Sequence, residues 1–150
     1  SREGYHAVSG LDLNSLVELQ RVHPLLSATF TLAHARYDAL MGNEALAIRV
    51  TEGYRTHARQ QQLFAQGKSR ATYSAHQEGM AIDIAFLTRD RAKALWELNL
   101  YREFNGLMQA ALKTYLPQYP DLRLIWGGDW KSLVDGVHWE VQGTDDTAFF

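Results

Sequence analysis

Apolar residues in the first forty positions recur at helical spacing. Leu13, Leu16, Val17 and Leu19 predict a short helix over residues 12–22, with Asp12 placed to cap it. Pro24 suits the first turn of a second helix. There Leu25, Leu26, Phe30, Ala33, Tyr37 and Leu40 recur until Met41-Gly42-Asn43 ends the pattern. The period then shortens: residues 45–51 are rich in Ile, Val and Leu and read as a strand. Thr56 is placed to cap a helix through Gln66, which Gly67 terminates.

In residues 81–86 alternation sets Ile82, Ile84 and Phe86 on one face and Ala81, Asp83 and Ala85 on the other. Thr88 opens a helical pattern reaching Leu116, with Asn99 and Asn105-Gly106 as weak points and Pro117 and Pro120 marking its end. Residues 123–126 and 137–141 read as two further short strands. In the second, Val137, Trp139 and Val141 share one face and leave His138 and Glu140 on the other. Helices and short strands without regular βαβ alternation predict the α+β class, a small, mainly antiparallel sheet flanked by helices. One domain over residues 1–150, with its core in 12–142, is the expected organisation.

Composition narrows the chemistry. A net charge of -2 carries no polybasic signature, which argues against nucleic acid as a partner. There is no cysteine, so a transition metal would have to rest on His and carboxylates. No apolar run approaches the ~20 residues needed to span a bilayer, and the N-terminus lacks the charged and apolar regions of a signal peptide. The surface pattern is compatible with a monomer.

Two stretches concentrate the candidate chemistry: Ser74-Ala75-His76-Gln77-Glu78-Gly79-Met80-Ala81-Ile82-Asp83 and Asp135-Gly136-Val137-His138-Trp139. Catalytic zinc takes three protein ligands from His, Asp or Glu and leaves a fourth position to water. His76, Asp83 and His138 are the candidate ligands, with Asp135 the candidate base beside that water. Seven residues of straight strand would separate His76 from Asp83 by ~23 Å, and a helix by ~10 Å, so the chain must turn between them. Gly79 is the residue able to supply that turn. Asp83 and His138 each stand on the polar face of a strand whose other face is apolar. Arg55, in Thr51-Glu52-Gly53-Tyr54-Arg55-Thr56, is placed to stabilise a developing oxyanion or hold a substrate carboxylate, or else simply to pair with Glu52.

Plainer roles suffice for other residues. His6, His23, His34 and His57 read as structural or exposed. Asp129 and Glu140 rival Asp135 as base, but a turn cap and a partner orienting a ligand are their simpler roles. Ser74 reads as a loop hydrogen-bonding residue. Trp96, Trp126 and Trp130 read as core or cleft wall, and Arg89-Asp90-Arg91 with Lys93 as a solvated helix face.

The pattern Ser74-x-His76-x-x-Gly79-x-Ala81-x-Asp83, then Asp135-x-x-His138-Trp139, resembles the LAS group of zinc peptidases (lysostaphin, D-Ala-D-Ala peptidases, hedgehog). Within it the chain looks most like phage endolysins that are L-alanyl-D-glutamate peptidases. Val22-His23-Pro24-Leu25, Glu52-Gly53-Tyr54-Arg55-Thr56, Arg59-Gln60, Gly67-Lys68-Ser69 and Trp126-Gly127-Gly128-Asp129-Trp130 extend the resemblance, in family order, over residues 20–141. It implies a hedgehog/D-Ala-D-Ala peptidase-like fold. It also implies a zinc enzyme, made in the host cytoplasm and acting at the cell wall, that cuts the L-Ala–D-Glu bond of the peptidoglycan stem peptide. His76, Asp83 and His138 match the family's zinc ligands, Asp135 its base, and Arg55 a position that in related dipeptidases stabilises the tetrahedral intermediate. Those dipeptidases carry Glu where this chain has Asp135, which favours the endopeptidase branch. A D,D-carboxypeptidase or dipeptidase, and a non-catalytic wall-binding module with a structural zinc, are the competing expectations.

Overall fold

Residues 10–69, 71 and 73–144 are described by the computed structural model; His6 lies outside them. The first helix, α1 (Leu13–Leu19), begins where Asp12 Oδ1 accepts hydrogen bonds from Ser15 N at 2.9 Å and Ser15 Oγ at 2.7 Å. Asp12 Oδ2 accepts from Arg49 Nε at 2.6 Å and Arg91 Nη1 at 3.2 Å, so one side chain joins three segments. Asp12→Ala is expected to destabilise the protein by about 1–2 kcal/mol, the usual cost of a lost N-cap, read as a lower urea midpoint.

Helix α2 (Pro24–Met41) starts with proline in its first turn, and the His23 ring accepts the Leu25 amide at 3.0 Å. Gly42 ends it at φ 55. Leu25, Leu26, Phe30, Ala33 and Tyr37 form its buried stripe and His34 is buried beside Phe30, whereas Leu40, the last residue of the expected pattern, is exposed. Strand β1 (Ala47–Glu52) leads through a short connection to α3 (His57–Ala65), capped by Thr56. Strand β2 (Ala81–Leu87) follows, then a two-residue strand β3 (Ala94–Leu95). Helix α4 (Leu98–Tyr115), β4 (Leu122–Trp126) and β5 (His138–Gly143) complete the order.

All pairings are antiparallel. The sheet runs β1-β2-β5-β4, and β3 pairs with the end of β2. The fold is thus α+β. Helices α2 and α4 pack together on the sheet, with Phe104 of α4 meeting Phe30, Tyr37, Phe86 and Trp139 edge-on at ring distances of 5.8 to 6.1 Å. The core runs from Leu11 to Val141. Among the described residues no helix is long and apolar enough to cross a membrane.

Several expectations need correction. Residues 88–97 do not belong to a helix. Asp90 accepts hydrogen bonds from Thr88 Oγ1 at 2.6 Å and Ala92 N at 2.9 Å, and Thr88 exchanges bonds with Lys93, which closes a turn in which Arg91 has φ 64. Side chains that bond their own backbone compete with a helix here and win. The Arg89-Asp90-Arg91 cluster is therefore no solvated helix face: Arg89 donates to Asn43 O, and Arg91 binds Asp12 and Gly10 O. Asn105-Gly106 does not interrupt α4, because Asn105 Oδ1 is engaged by Trp139 Nε1 at 3.0 Å and Gln109 Nε2 at 3.1 Å. Trp96 is neither core nor cleft wall; it is 63% exposed. The alternation of β2 is also blunter than the sequence suggests, since Ala81 and Ala85 are buried and only Asp83 of the polar set reaches open space.

Candidate metal centre and cleft

The centre of the sheet carries the candidate residues. Asp83 of β2 stands directly opposite His138 of β5 in the strand register. His76 arrives from a 3-10 turn, Ala75–Glu78, built by local sequence: Ser74 accepts from the His76 amide, and the Gln77 side chain accepts from Ser74 N at 3.0 Å. Gly79 closes that turn in the left-handed region at φ 68, and its amide returns to His76 O. This reversal lets residues 76 and 83 meet, and a side chain at 79 would press on the Arg21 carbonyl as well.

The ring nitrogens are oriented by groups behind them. His76 Nδ1 donates to Gly53 O at 2.7 Å, which leaves Nε2 unprotonated on the neutral ring. That Nε2 is buried without a hydrogen-bond partner, 3.2 Å from Asp83 Oδ1. His138 Nε2 donates to Glu140 Oε1 at 2.7 Å, and its Nδ1 faces Asp83 Oδ1 at 3.0 Å. Glu140 is fixed in turn by Gln142 Nε2 at 2.7 Å. Two nitrogens and one carboxylate oxygen thus converge, all within 4.8 Å of one another. Ligands ~2.1 Å from a tetrahedral zinc lie about 3.3 Å apart, so the two separations from Asp83 fit such an ion.

The electrostatics agree. Burial would raise the Asp83 carboxyl, but the two imidazoles beside it, His138 foremost, hold it well below the usual carboxylate range. Burial opposes a charged His138 ring, yet Asp83 and Glu140 push it up to about 9. A carboxylate between two imidazoles calls for a cation, either a proton or a metal ion.

A cleft of about 750 Å³ opens over this cluster. Asp135 lines it, and burial together with the Asp83 charge raises its carboxyl above the ordinary value. Its position is set by the backbone: Asp135 N donates to Gly127 O at 3.0 Å and His138 N to Asp135 O at 3.2 Å. Gly127 packs so closely that any Cβ there would strike the Asp135 carbonyl. Arg55 also lines the cleft. Its guanidinium pairs with Glu52 and donates from Nη1 to Gln60 Oε1 at 2.6 Å, while Nε is buried without a partner.

Other candidates are placed elsewhere. Asp129 sits in the turn Gly127–Asp129 and does not line the cleft. His57 touches Gln77 on the surface, and His23 caps α2. Trp130 is cleft wall, 5.2 Å from the His138 ring, and Trp126 is core. Sequence reasoning quoted Gln60 within the resemblance but gave it no role; it is fully buried and uses its whole amide: besides accepting from Arg55, it donates to Ser69 Oγ at 2.9 Å and Ala71 O at 2.7 Å. Its signal was a polar residue five positions after Arg55 on a capped helix. Gly53, whose carbonyl orients His76, stood in a quoted fragment, but nothing in the sequence pointed to that role.

Comparison with known proteins places the chain among peptidases. An M15 peptidase family model described as D-alanyl-D-alanine carboxypeptidase matches residues 67–141. The peptidoglycan L-alanyl-D-glutamate endopeptidase CwlK of Bacillus subtilis is 30% identical over 112 residues, 69% of this chain. The match spans 65% of that relative's length. The crystal structure of the Serratia marcescens L-Ala D-Glu endopeptidase ChiX superposes with a TM-score of 0.67 at 27% identity, covering 87% of each chain.

Proposed function

The chain belongs to the M15 peptidase family, and from that premise we propose that it is a zinc-dependent endopeptidase hydrolysing the L-Ala–D-Glu bond of peptidoglycan stem peptides. The observation that carries the reading is His76 Nε2, a buried lone pair with no hydrogen-bond partner, aimed at the point that Asp83 and His138 also face. His76 Nε2, Asp83 Oδ1 and His138 Nδ1 hold the ion in this reading. Zinc bound there supplies Lewis acidity, polarising a carbonyl and bringing the pKa of a water toward ~7.

The chain's own groups do the rest. Asp135, lining the cleft over the cluster, takes a proton from the attacking water. As the C–N bond breaks it returns that proton to the departing D-Glu amine. Arg55, locked by Glu52 and Gln60, presents a fixed positive charge to the oxygen on which negative charge develops. Glu140 and Gly53 O keep the two imidazoles in the tautomers that turn lone pairs inward. Glu140→Gln should weaken zinc binding about 10- to 100-fold, read by competition with a chelating dye. Unchanged affinity would take Glu140 out of the site.

The two relatives support the choice of bond, and the sequence resemblance supports deployment as a phage endolysin that reaches the wall from the host cytoplasm. The description of the matching family favours a second reading, removal of terminal D-Ala. Purified murein sacculi with a covalent dye test whether the protein is an enzyme. Release should stop on chelation and return with zinc. Zinc-loaded protein that sediments with sacculi yet releases no dye would be a binding module instead.

A further inference from the structure

The cleft holds more cationic groups than its own carboxylates engage. Its acidic residues are Glu52, Asp83, Asp135 and Glu140. Glu52 is paired with Arg55, Asp83 with both imidazoles, and Glu140 with His138 and Gln142. Asp135 is the base of the proposed reaction. On the cationic side Arg55 is already engaged by Glu52 and Gln60. Arg59 and Lys68 remain. Both are exposed, both line the cleft, and neither has a carboxylate partner among the described residues. The guanidinium of Arg59 is steadied from Nη1 by Gln62 Oε1 at 2.9 Å.

These two cations share one wall. Arg59 and Leu63 are four apart on α3, hence on one face of it, and both line the cleft. Gly67 reverses the chain at φ 73, and the Lys68 amide bonds back to Leu63 O at 2.9 Å. Gln60, gripping Ser69 and Ala71 from beneath, stiffens the wall before any ligand arrives. The sheet fixes the opposite wall: α3 follows β1 at one edge, and Trp130, Leu133 and Val134 follow β4 at the other. One wall is therefore cationic and the other apolar, with the His-Asp-His cluster between them.

We infer that Arg59 and Lys68 form the subsite for the free α-carboxylate of the D-Glu residue on the departing side of the scissile bond. This assignment rests on the reading of the site as an L-Ala–D-Glu endopeptidase. In the stem peptide D-Glu continues through its γ-carboxyl, so its α-carboxylate stays ionised one carbon from the nitrogen that leaves. The L-Ala side of the bond offers no comparable charge. A carboxylate so close to the reacting atoms calls for a cation from the cleft wall, and the charge of Arg55 is already paired with Glu52.

Walls in which D-Glu is amidated to D-isoglutamine supply the test, because the amide keeps the shape and removes the charge. The probes are two N-acetylmuramyl tripeptides, L-Ala–D-Glu–L-Lys and its D-isoglutamine counterpart, with kcat/KM measured for each on zinc-loaded protein. Wild type should favour the acid by about 10- to 100-fold, the range of one or two charge-assisted hydrogen bonds. Arg59→Gln and Lys68→Gln should each shrink that ratio, and the double variant should bring it close to one. Equal rates for wild type on both probes, or a double variant that keeps the wild-type preference, would overturn the assignment. If wild type cuts neither probe, the endopeptidase reading fails and takes this subsite with it.

Discussion

Asp135→Asn is expected to leave a folded, zinc-loaded protein that hydrolyses peptidoglycan at least about 100-fold more slowly, and as much as ~10⁴-fold. The substitution keeps size and hydrogen-bonding shape and removes only the ability to accept a proton. The Asp135 backbone bonds, to Gly127 O and from His138 N, do not involve the side chain, so the loop should hold. Trp126 Nε1, donating to Gly136 O at 2.7 Å, anchors the same loop from the core. Zinc content by elemental analysis and far-UV dichroism should match wild type while dye release from sacculi collapses. Hydrolysis at the wild-type rate would move the base elsewhere, with Glu140 the next carboxylate in the cleft.

The second large effect concerns the ion. His76→Ala should abolish stoichiometric zinc, activity, and the stabilisation that zinc confers. At free zinc one hundred times Kd, a bound ion stabilises a fold by about 2.7 kcal/mol. For a chain of this length that is roughly 5–10 °C in Tm. The readout is the difference in Tm with and without zinc, so any cost of emptying the buried His76 position cancels. Wild type should show the shift, and His76→Ala should show none. A variant that still gained stability from zinc would remove His76 from the ligand set.

How much of this could be read from the chain depended on the range of the forces involved. The α2 stripe from Leu25 to Tyr37 and the caps at Asp12 and Thr56 are local, and the structure has them where the spacing puts them. The face-to-face placement of Asp83 and His138 was half legible: alternation gave each its face, while their register opposite one another is a tertiary fact. Thr88–Lys93 misled because its residues suit a helix as well as the turn that Asp90 organises, and Arg91 is drawn away by Asp12, far off in sequence. Asn105-Gly106 misled in the other direction, since packing against Trp139 outweighs a glycine cost of about 1 kcal/mol in a helix. Arg55 was visible as a charge near the site, with Glu52 as a possible partner; its bond to the buried Gln60 was not. The third dimension also separated Arg59 and Lys68 from the ordinary surface charges, because only the fold brings α3 and the turn after it to the cleft.

Mass spectrometry of purified peptidoglycan digested by the zinc-loaded protein, beside a chelated control, tests the central claim most directly. Cleavage at L-Ala–D-Glu should give new N-terminal D-Glu or D-isoglutamine ends, matched by muramyl-L-Ala products, that vanish with the chelator. Chelator-sensitive loss of terminal D-Ala, with the L-Ala–D-Glu bond intact, would contradict it.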